Sequence, residues 1–169
     1  MRKTTKYIVL LMLAISTLAL WSCYTLKGFS ISPETNTYFV KTFEVTAPAA
    51  PPVLGQQLTE SFKNKVRNQT RLAYNDLDPD VEFVATISDY TVSSEAPQPN
   101  ATTAFNRLEI GISVEYINHK DEKKNWKQKF SRFASFRSDA NLLDIQDQLV
   151  KDISALLFDD IFRKAFEDW

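Results

Sequence analysis

Alternation between apolar and polar residues predicts four β-strands along this chain. The predicted strands cover residues 38–45, 81–92, 107–116 and 126–137. In the first of them, Phe39, Phe43 and Val45 fall on one face, which we expect to be buried. The polar residues 118–125, between the last two strands, predict a hairpin turn. Each strand therefore offers one mostly apolar face to a core.

A spacing of three and four residues between apolar positions predicts two helices. The first runs from about residue 53 to residue 70, with an apolar stripe formed by Leu54, Leu58, Phe62 and Val66. The second begins after an N-cap at Ser138-Asp139 or Asn141 and continues to the end of the chain. Its stripe consists of Leu142, Ile145, Leu149, Ile153, Leu156, Leu157, Ile161, Ala165 and Trp169.

The predicted element order is β-α-β-β-β-α, with residues 72–80 as a loop after the first helix. The first β-α-β unit implies a right-handed parallel crossover, and the meander that follows adds antiparallel strands. We therefore expect an α+β fold, a two-layer sandwich with two helices on one face of a four-stranded mixed sheet. The opposite face of that sheet would be polar, with Glu109, Ser113, Glu115, Lys127, Lys129 and Arg137 along it.

The N-terminal segment has the pattern of a lipoprotein signal peptide over residues 1–22. Basic residues precede the apolar run 7–20, and Leu20-Trp21-Ser22-Cys23 has the layout of a lipobox. Cys23 is then the lipid anchor, carrying acyl chains such as palmitate. An uncleaved anchor or a simple secretory signal is the alternative. We divide the remainder into a tether over 23–35 and a single α+β domain over 36–169.

Composition excludes several classes of function. Removing the leader leaves 17 basic and 21 acidic residues, a net charge of about −4 that does not favour nucleic acid as a partner. His119 is the only histidine and Cys23 the only cysteine, so the chain offers no zinc site and no histidine-based catalytic triad. We find no nucleophile with a base beside it. The expectation is a protein that is not an enzyme and that needs no metal or cofactor.

Charge is distributed unevenly along the C-terminal half. Residues 120–137 carry a net charge of +5 and residues 138–169 a net charge of −5. One interpretation is mutual neutralisation of a strand and the helix that follows it. The other is that Lys127, Lys129 and Arg137, with Arg107 on the neighbouring strand, bind an anionic ligand such as a phosphorylated lipid or sugar. Arg132 is a further candidate for binding such a ligand, but it falls on the apolar face of its strand, where we expect it to be paired or at a frayed edge.

Several segments together resemble the Bacteroidetes-type branch of the LptE family of lipopolysaccharide-assembly lipoproteins. They are Cys23-Tyr24-Thr25-Leu26-Lys27-Gly28-Phe29-Ser30, Phe39-Val40-Lys41-Thr42-Phe43, Leu58-Thr59-Glu60-Ser61-Phe62-Lys63, Asn68-Gln69-Thr70, Arg107-Leu108-Glu109-Ile110 and the closing residues 160–169. The resemblance covers nearly the whole mature chain. It implies two helices on a four-stranded sheet and a role as plug and assembly partner of the outer-membrane β-barrel LptD.

The resemblance also implies that lipopolysaccharide is bound by basic residues, for which Arg107 and Arg137 are the best-placed candidates. Residue Tyr24 after the cysteine is not the aspartate that retains lipoproteins in the inner membrane, so we expect the outer membrane, facing the periplasm and the barrel lumen. The alternative function is a periplasm-facing adaptor that regulates a peptidoglycan synthase or a secretion machinery.

Overall fold

The computed structural model describes residues 31–95 and 104–167. The predicted leader, Cys23 and Trp169 lie outside these ranges. The strands are β1 (Thr37–Val40), β2 (Glu44–Val45), β3 (Ala73–Tyr74), β4 (Val81–Ser94), β5 (Phe105–Asn118) and β6 (Trp126–Arg137). The helices are α1 (Leu54–Gln69) and α2 (Leu142–Phe166), and one 3₁₀ turn (Glu122–Lys124) lies between β5 and β6.

All six strands form one mixed sheet in the order β3-β1-β4-β5-β6, with β2 also paired to β4. Strands β4, β5 and β6 are antiparallel neighbours, whereas β1 and β2 run parallel to β4. The predicted α+β class, the two helices, the parallel crossover and the antiparallel meander are confirmed. The predicted number of four strands is wrong, because the first predicted strand is divided in two and the predicted loop 72–80 contains the two-residue β3.

The division between β1 and β2 is made by contacts with the first turns of α1. The backbone N–H of Phe43 donates to Oγ1 of Thr59 at 2.9 Å, and that hydroxyl donates to the carbonyl of Gly55 at 2.6 Å. A side chain at Gly55 would clash with the Phe43 carbonyl. The chain therefore leaves the sheet at Phe43 to meet the helix. Consequently Tyr38, Val40 and Phe43 are buried. Of the predicted inner face, Phe43 is buried and Val45 packs partly buried against the core, whereas the prediction is wrong for Phe39.

Both helices pack on the same face of the sheet. The predicted stripe of α1 is fully buried, and its Phe62 contacts Phe83 of β4 and Phe158 of α2, with ring centroids 5.0 and 5.1 Å apart. Burying each such side chain contributes roughly 1.5–3 kcal/mol. The aromatic contacts continue through Tyr116 and Phe166 to the C-terminal end of α2. A single aromatic core thus joins both helices to the sheet.

The buried face of α2 follows its predicted stripe except at Leu156. Asn141 is the N-cap, with its side chain accepting from the N–H of Leu143 at 3.2 Å. Leu156 is 50 % exposed, whereas Val150, Phe158 and Phe162 are buried beside the predicted residues. The buried face of α2 is therefore wider than the predicted stripe and includes Val150, Phe158 and Phe162. Within residues 31–95 and 104–167, neither helix combines the length and apolarity needed to cross a bilayer.

Candidate functional site: the open face of the sheet

The sheet face that points away from α1 and α2 carries mostly polar side chains, with Phe105 and Phe133 toward one end, and we refer to it as the open face. Side chains at even positions of β5, from Leu108 to Tyr116, are buried under the helices, and those at odd positions belong to the open face. The predicted polar residues all lie on its strands or at their ends. They are Glu109, Ser113, Glu115, Lys127, Lys129 and Arg137.

An ion pair crosses the middle of the open face from β4 to β6. The Lys129 ammonium contacts the Asp89 carboxylate at 2.6 Å, passing over β5 at Gly111. A Cβ at Gly111 would overlap that carboxylate, so only glycine leaves room for the crossing. The hydrogen bonds that Asp89 accepts from Lys129 and Ser88 lower its pKa. A register shift between Ile87 and Asp89 turns Asp89 onto this face.

The second lysine of the open face is also neutralised. Nζ of Lys127 lies 3.1 Å from a carboxylate oxygen of Glu115, its direct neighbour across β5 and β6. At the same end of the sheet, His119 lies 3.7 Å from Glu82. The side chain of Lys127 is 70 % exposed, so the pair contributes little to stability.

At the opposite end of the open face, two guanidiniums lie among exposed aromatic rings. We refer to Phe105, Arg107, Phe133 and Arg137 as the aromatic–arginine patch. The guanidinium of Arg107 lies 5.0 Å from the centroid of the Phe133 ring, a cation–π distance. Phe105 and Arg137 are direct cross-strand partners. Both phenylalanines are partly exposed, Phe105 at 41 % and Phe133 at 51 %.

The two arginines of the patch differ in how firmly they are held. Arg137 forms a bidentate pair with Asp139, with N···O distances of 2.9 and 2.6 Å, which raises the pKa of Arg137 and lowers that of Asp139. Arg107 makes longer contacts, 3.3 Å from Nε to Ser93 and 3.5 Å to Glu109. Arg107 is therefore held less firmly by its acidic neighbour than Arg137 is, and less is lost when its guanidinium turns to an added anion.

Arg132, the remaining basic candidate, is on the other side of the sheet. It donates to Asp160 of α2 at 2.6 Å, and Arg163 donates to the same carboxylate at 2.6 Å. These bonds lower the pKa of Asp160. The expectation that Arg132 is paired is confirmed, and this contact is one case of the predicted strand–helix neutralisation. Arg132 and the patch arginines do not share a site.

This arrangement is suited to binding and offers no reactive centre. A guanidinium donates to phosphate or carboxylate oxygens, and a neighbouring phenylalanine ring offers an apolar surface. Among residues 31–95 and 104–167, no three histidine, cysteine or acidic side chains come together as a metal site. The patch therefore fits a ligand that combines negative charge with apolar groups.

Two kinds of residue important to this face were not recognised from the sequence. Phe105 joins Phe133 because both occupy odd positions on paired strands, a parity that the sequence displays. Gly111 interrupts an otherwise regular strand, which is a signal for close approach of another group. That the approaching group is the Asp89 side chain can be learned only from the register between β4 and β5.

Comparison with known families decides the identity of this architecture. The family model described as "LptE: Lipopolysaccharide-assembly" matches residues 39–165, three quarters of the chain. The chain belongs to the LptE family. Membership implies a role in lipopolysaccharide transport for this LptE-family chain, in a family of lipoproteins that are not enzymes. No curated protein matches the sequence.

Solved structures share the fold of this LptE-family chain at very low identity. Protein XCC0632 from Xanthomonas campestris matches with a TM-score of 0.53 and 7 % identity, over 79 % of this chain and 87 % of that one. The hypothetical protein CT253 from Chlamydia trachomatis gives 0.52 and 7 %, over 78 % and 98 %. PelC from Paraburkholderia phytofirmans, solved as a dodecamer, gives 0.51 and 10 %, over 79 % and 89 %. These likenesses concern the fold alone.

Proposed function

We propose that this LptE-family chain is an outer-membrane lipoprotein that plugs and helps to assemble an LptD-type β-barrel, through which lipopolysaccharide reaches the outer leaflet. The observation that supports this best is the open face, which is mostly polar, internally ion-paired and not covered by α1 or α2. Such a face suits a hydrated barrel lumen, where charged groups keep their partners and water. A lipid-facing surface would instead require apolar side chains.

Within that function, the aromatic–arginine patch binds lipopolysaccharide. The lipid A part of lipopolysaccharide carries phosphate groups beside acyl chains. Arg107 donates to a phosphate, Arg137 joins it after leaving Asp139, and the exposed rings of Phe105 and Phe133 meet acyl carbon atoms. Lys127, Lys129 and Arg132 contribute less because they lie away from the exposed rings, the two lysines toward the other end of the face and Arg132 on the helix-covered side.

The N-terminal segment supplies the membrane attachment in this proposal. Acyl chains on Cys23 hold the protein on the periplasmic side of the outer membrane, and several chains together give durable binding. The tether 23–35 then connects the lipid to the folded domain. No catalytic step is part of the function.

Affinity purification tests the partnership. The full-length chain, tagged at its C-terminus, is purified from gently solubilised outer membranes, with a Cys23→Ala variant as control. We expect a β-barrel several times larger than the 19.4 kDa chain to copurify with the wild type and to be depleted in the control. Recovery of the wild-type chain alone would contradict the proposal.

A depletion experiment separates this proposal from the adaptor alternative. Loss of a transport component leaves lipopolysaccharide in the inner membrane, which fractionation of the envelope detects. Loss of an adaptor for a peptidoglycan synthase or secretion machinery changes cell shape or secretion while lipopolysaccharide still reaches the surface. The family match supports the first outcome.

A further inference from the structure

Strand β6 forms one edge of the sheet and is long for an edge strand. It has twelve residues, pairs with β5 on one side only, and its register with β5 runs without a shift from Phe105↔Arg137 to Tyr116↔Trp126. The opposite edge, β3, has two residues. A long, regular edge strand is a ready template for an additional strand.

The hydrogen-bonding phase shows which backbone groups of β6 point outward. Ser138 donates its N–H to the carbonyl of Ala104, so even-numbered residues of β6 are paired with β5. The N–H and C=O groups of the odd-numbered residues therefore point away from the sheet. For Lys127, Lys129, Ser131, Phe133 and Ser135, these groups have no hydrogen-bond partner within the described part of the chain.

A cleft lies along this edge, between β6 and α2, with a volume of about 410 Å³. It is lined by Gln128, Lys129, Phe130, Ser131, Arg132, Asp160, Arg163 and Lys164. Arg132 and Arg163 share the single carboxylate of Asp160, and Lys164 makes no ion pair within residues 31–95 and 104–167. The cleft therefore has surplus positive charge beside unpaired backbone groups.

Charge decides between the occupants of this edge. Strand β6 carries Lys127, Lys129, Arg132 and Arg137 and no acidic residue. Pairing β6 with β6 of a second copy would place like charges on adjacent strands, which is unfavourable. A strand with acidic side chains would meet Lys164 and the two arginines on one face and the lysines of β6 on the other.

We propose that the free edge of β6 accepts an extended acidic segment of a partner protein as an additional strand. Backbone hydrogen bonds to the odd-numbered residues give affinity, and contacts with Arg132, Arg163 and Lys164 give selectivity for acidic side chains. This interaction does not depend on lipopolysaccharide, since the side chains that give it selectivity, Arg132, Arg163 and Lys164, lie outside the aromatic–arginine patch.

A peptide probe tests this proposal with the full-length chain in non-ionic detergent. The probe is a capped, fluorescent ten-residue peptide that alternates Glu and Val, and its binding is followed by anisotropy. We expect saturable binding that is lost when alternate peptide nitrogens are methylated, because methylation removes the donors of a β ladder. A peptide that alternates Lys and Val should not bind. Equal binding of the methylated peptide, or no binding of the Glu peptide, would overturn the proposal.

Matched variants locate the site. Ser131→Pro removes an outward N–H and should abolish binding, whereas Ser131→Ala, which keeps that N–H, should bind within twofold of wild type; far-UV circular dichroism checks that both are folded. Lys164→Glu should weaken binding about tenfold, and Lys151→Glu, on the same helix away from the cleft, less than twofold. Equal effects of the two charge reversals would overturn the proposal.

Two further readings exclude other occupants. Sedimentation of the chain alone tests for a dimer formed through β6. We expect Ser131→Pro to leave the sedimentation of the chain unchanged, and a dimer that this variant dissociates would make a second copy the occupant of the edge. Competition by inorganic phosphate that removes peptide binding completely at unchanged ionic strength would make the cleft an anion site and overturn the proposal. Because these probes contain no lipid, failure here leaves the proposed transport function untouched, and Arg107→Gln should not change peptide binding.

Discussion

The two ends of the open face carry similar charges in different surroundings. Lys127 and Lys129 lie toward one end, each opposite a carboxylate at 3.1 or 2.6 Å. At the other end, Arg107 stacks on Phe133 and makes only longer polar contacts. In the sequence, the three cations contribute alike to the basic character of their strands. The comparison teaches that the acidic and aromatic neighbours, more than the cations themselves, determine whether a basic side chain is free to bind a ligand.

The largest effect is expected from Gly111→Val. A side chain there displaces the Asp89 carboxylate and breaks its pair with Lys129. We expect the free energy of unfolding, measured by urea denaturation, to fall by about 1 kcal/mol, because the pair is lost and the Asp89 side chain must move, despite the better strand propensity of valine. Ser113→Val, two positions along the same face, is the control and should cost much less. Equal stability of the Gly111 variant and wild type would show that nothing crosses β5 there.

A smaller effect is expected from pH at the same pair. The folded-state pKa of Asp89 is lowered, so its contribution to stability is present above the unfolded pKa of about 4 and is lost as pH falls through the folded value. The Asp89 side chain is 35 % exposed, which limits the contribution to about 0.5–1 kcal/mol after screening. Between pH 7 and pH 3, Asp89→Asn should lose less stability than wild type, by up to that amount. Parallel pH profiles would contradict this account.

At the aromatic–arginine patch, Asp139→Asn should increase the difference in ligand binding between the two ends of the open face. The substitution removes the bidentate partner of Arg137 and leaves its guanidinium free for phosphate. We expect affinity for lipopolysaccharide to rise about twofold. Asp144→Asn changes net charge equally, at the start of α2, and serves as control. If both variants gain affinity to the same extent, the gain is a general charge effect and Arg137 has no special part in it.

The smallest effect is expected from Lys127→Gln. Its pair with Glu115 is exposed on both sides, 70 % and 44 %, and such pairs add little. The free energy of unfolding should change by about 0.2 kcal/mol or less. A loss approaching that of Gly111→Val would mean that this end of the face is built more rigidly than its exposure indicates.

Long periodic elements of this fold could be predicted from the sequence, and short or tertiary ones could not. The apolar stripe of α1 repeats over four turns, and the alternation of β5 extends over its whole length. Because each pattern repeats many times, one residue that departs from it does not change the predicted element. Strand β3 has two residues and shows no periodicity. The break after β1 depends on contacts with Thr59 and Gly55, which belong to helix α1, further along the sequence.

The candidate site was predicted as a set of basic residues but not as a geometry. Arg107 and Arg137 could be named from their strands, and the opposite orientation of Arg132 followed from alternation. The crossing of Asp89 to Lys129 depends on a register shift within β4, which no local pattern specifies. Which cations remain available therefore required the three-dimensional arrangement of the strands.

Binding of purified lipopolysaccharide to the full-length chain in detergent tests the central claim most directly. Wild type, Arg107→Gln and Lys127→Gln differ from one another by a single positive charge at most, at opposite ends of the open face. The account predicts that Arg107→Gln weakens binding about tenfold, the loss of one charge-assisted contact, while Lys127→Gln stays within twofold of wild type. Equal affinities for all three proteins, or equal losses in both variants, would contradict it.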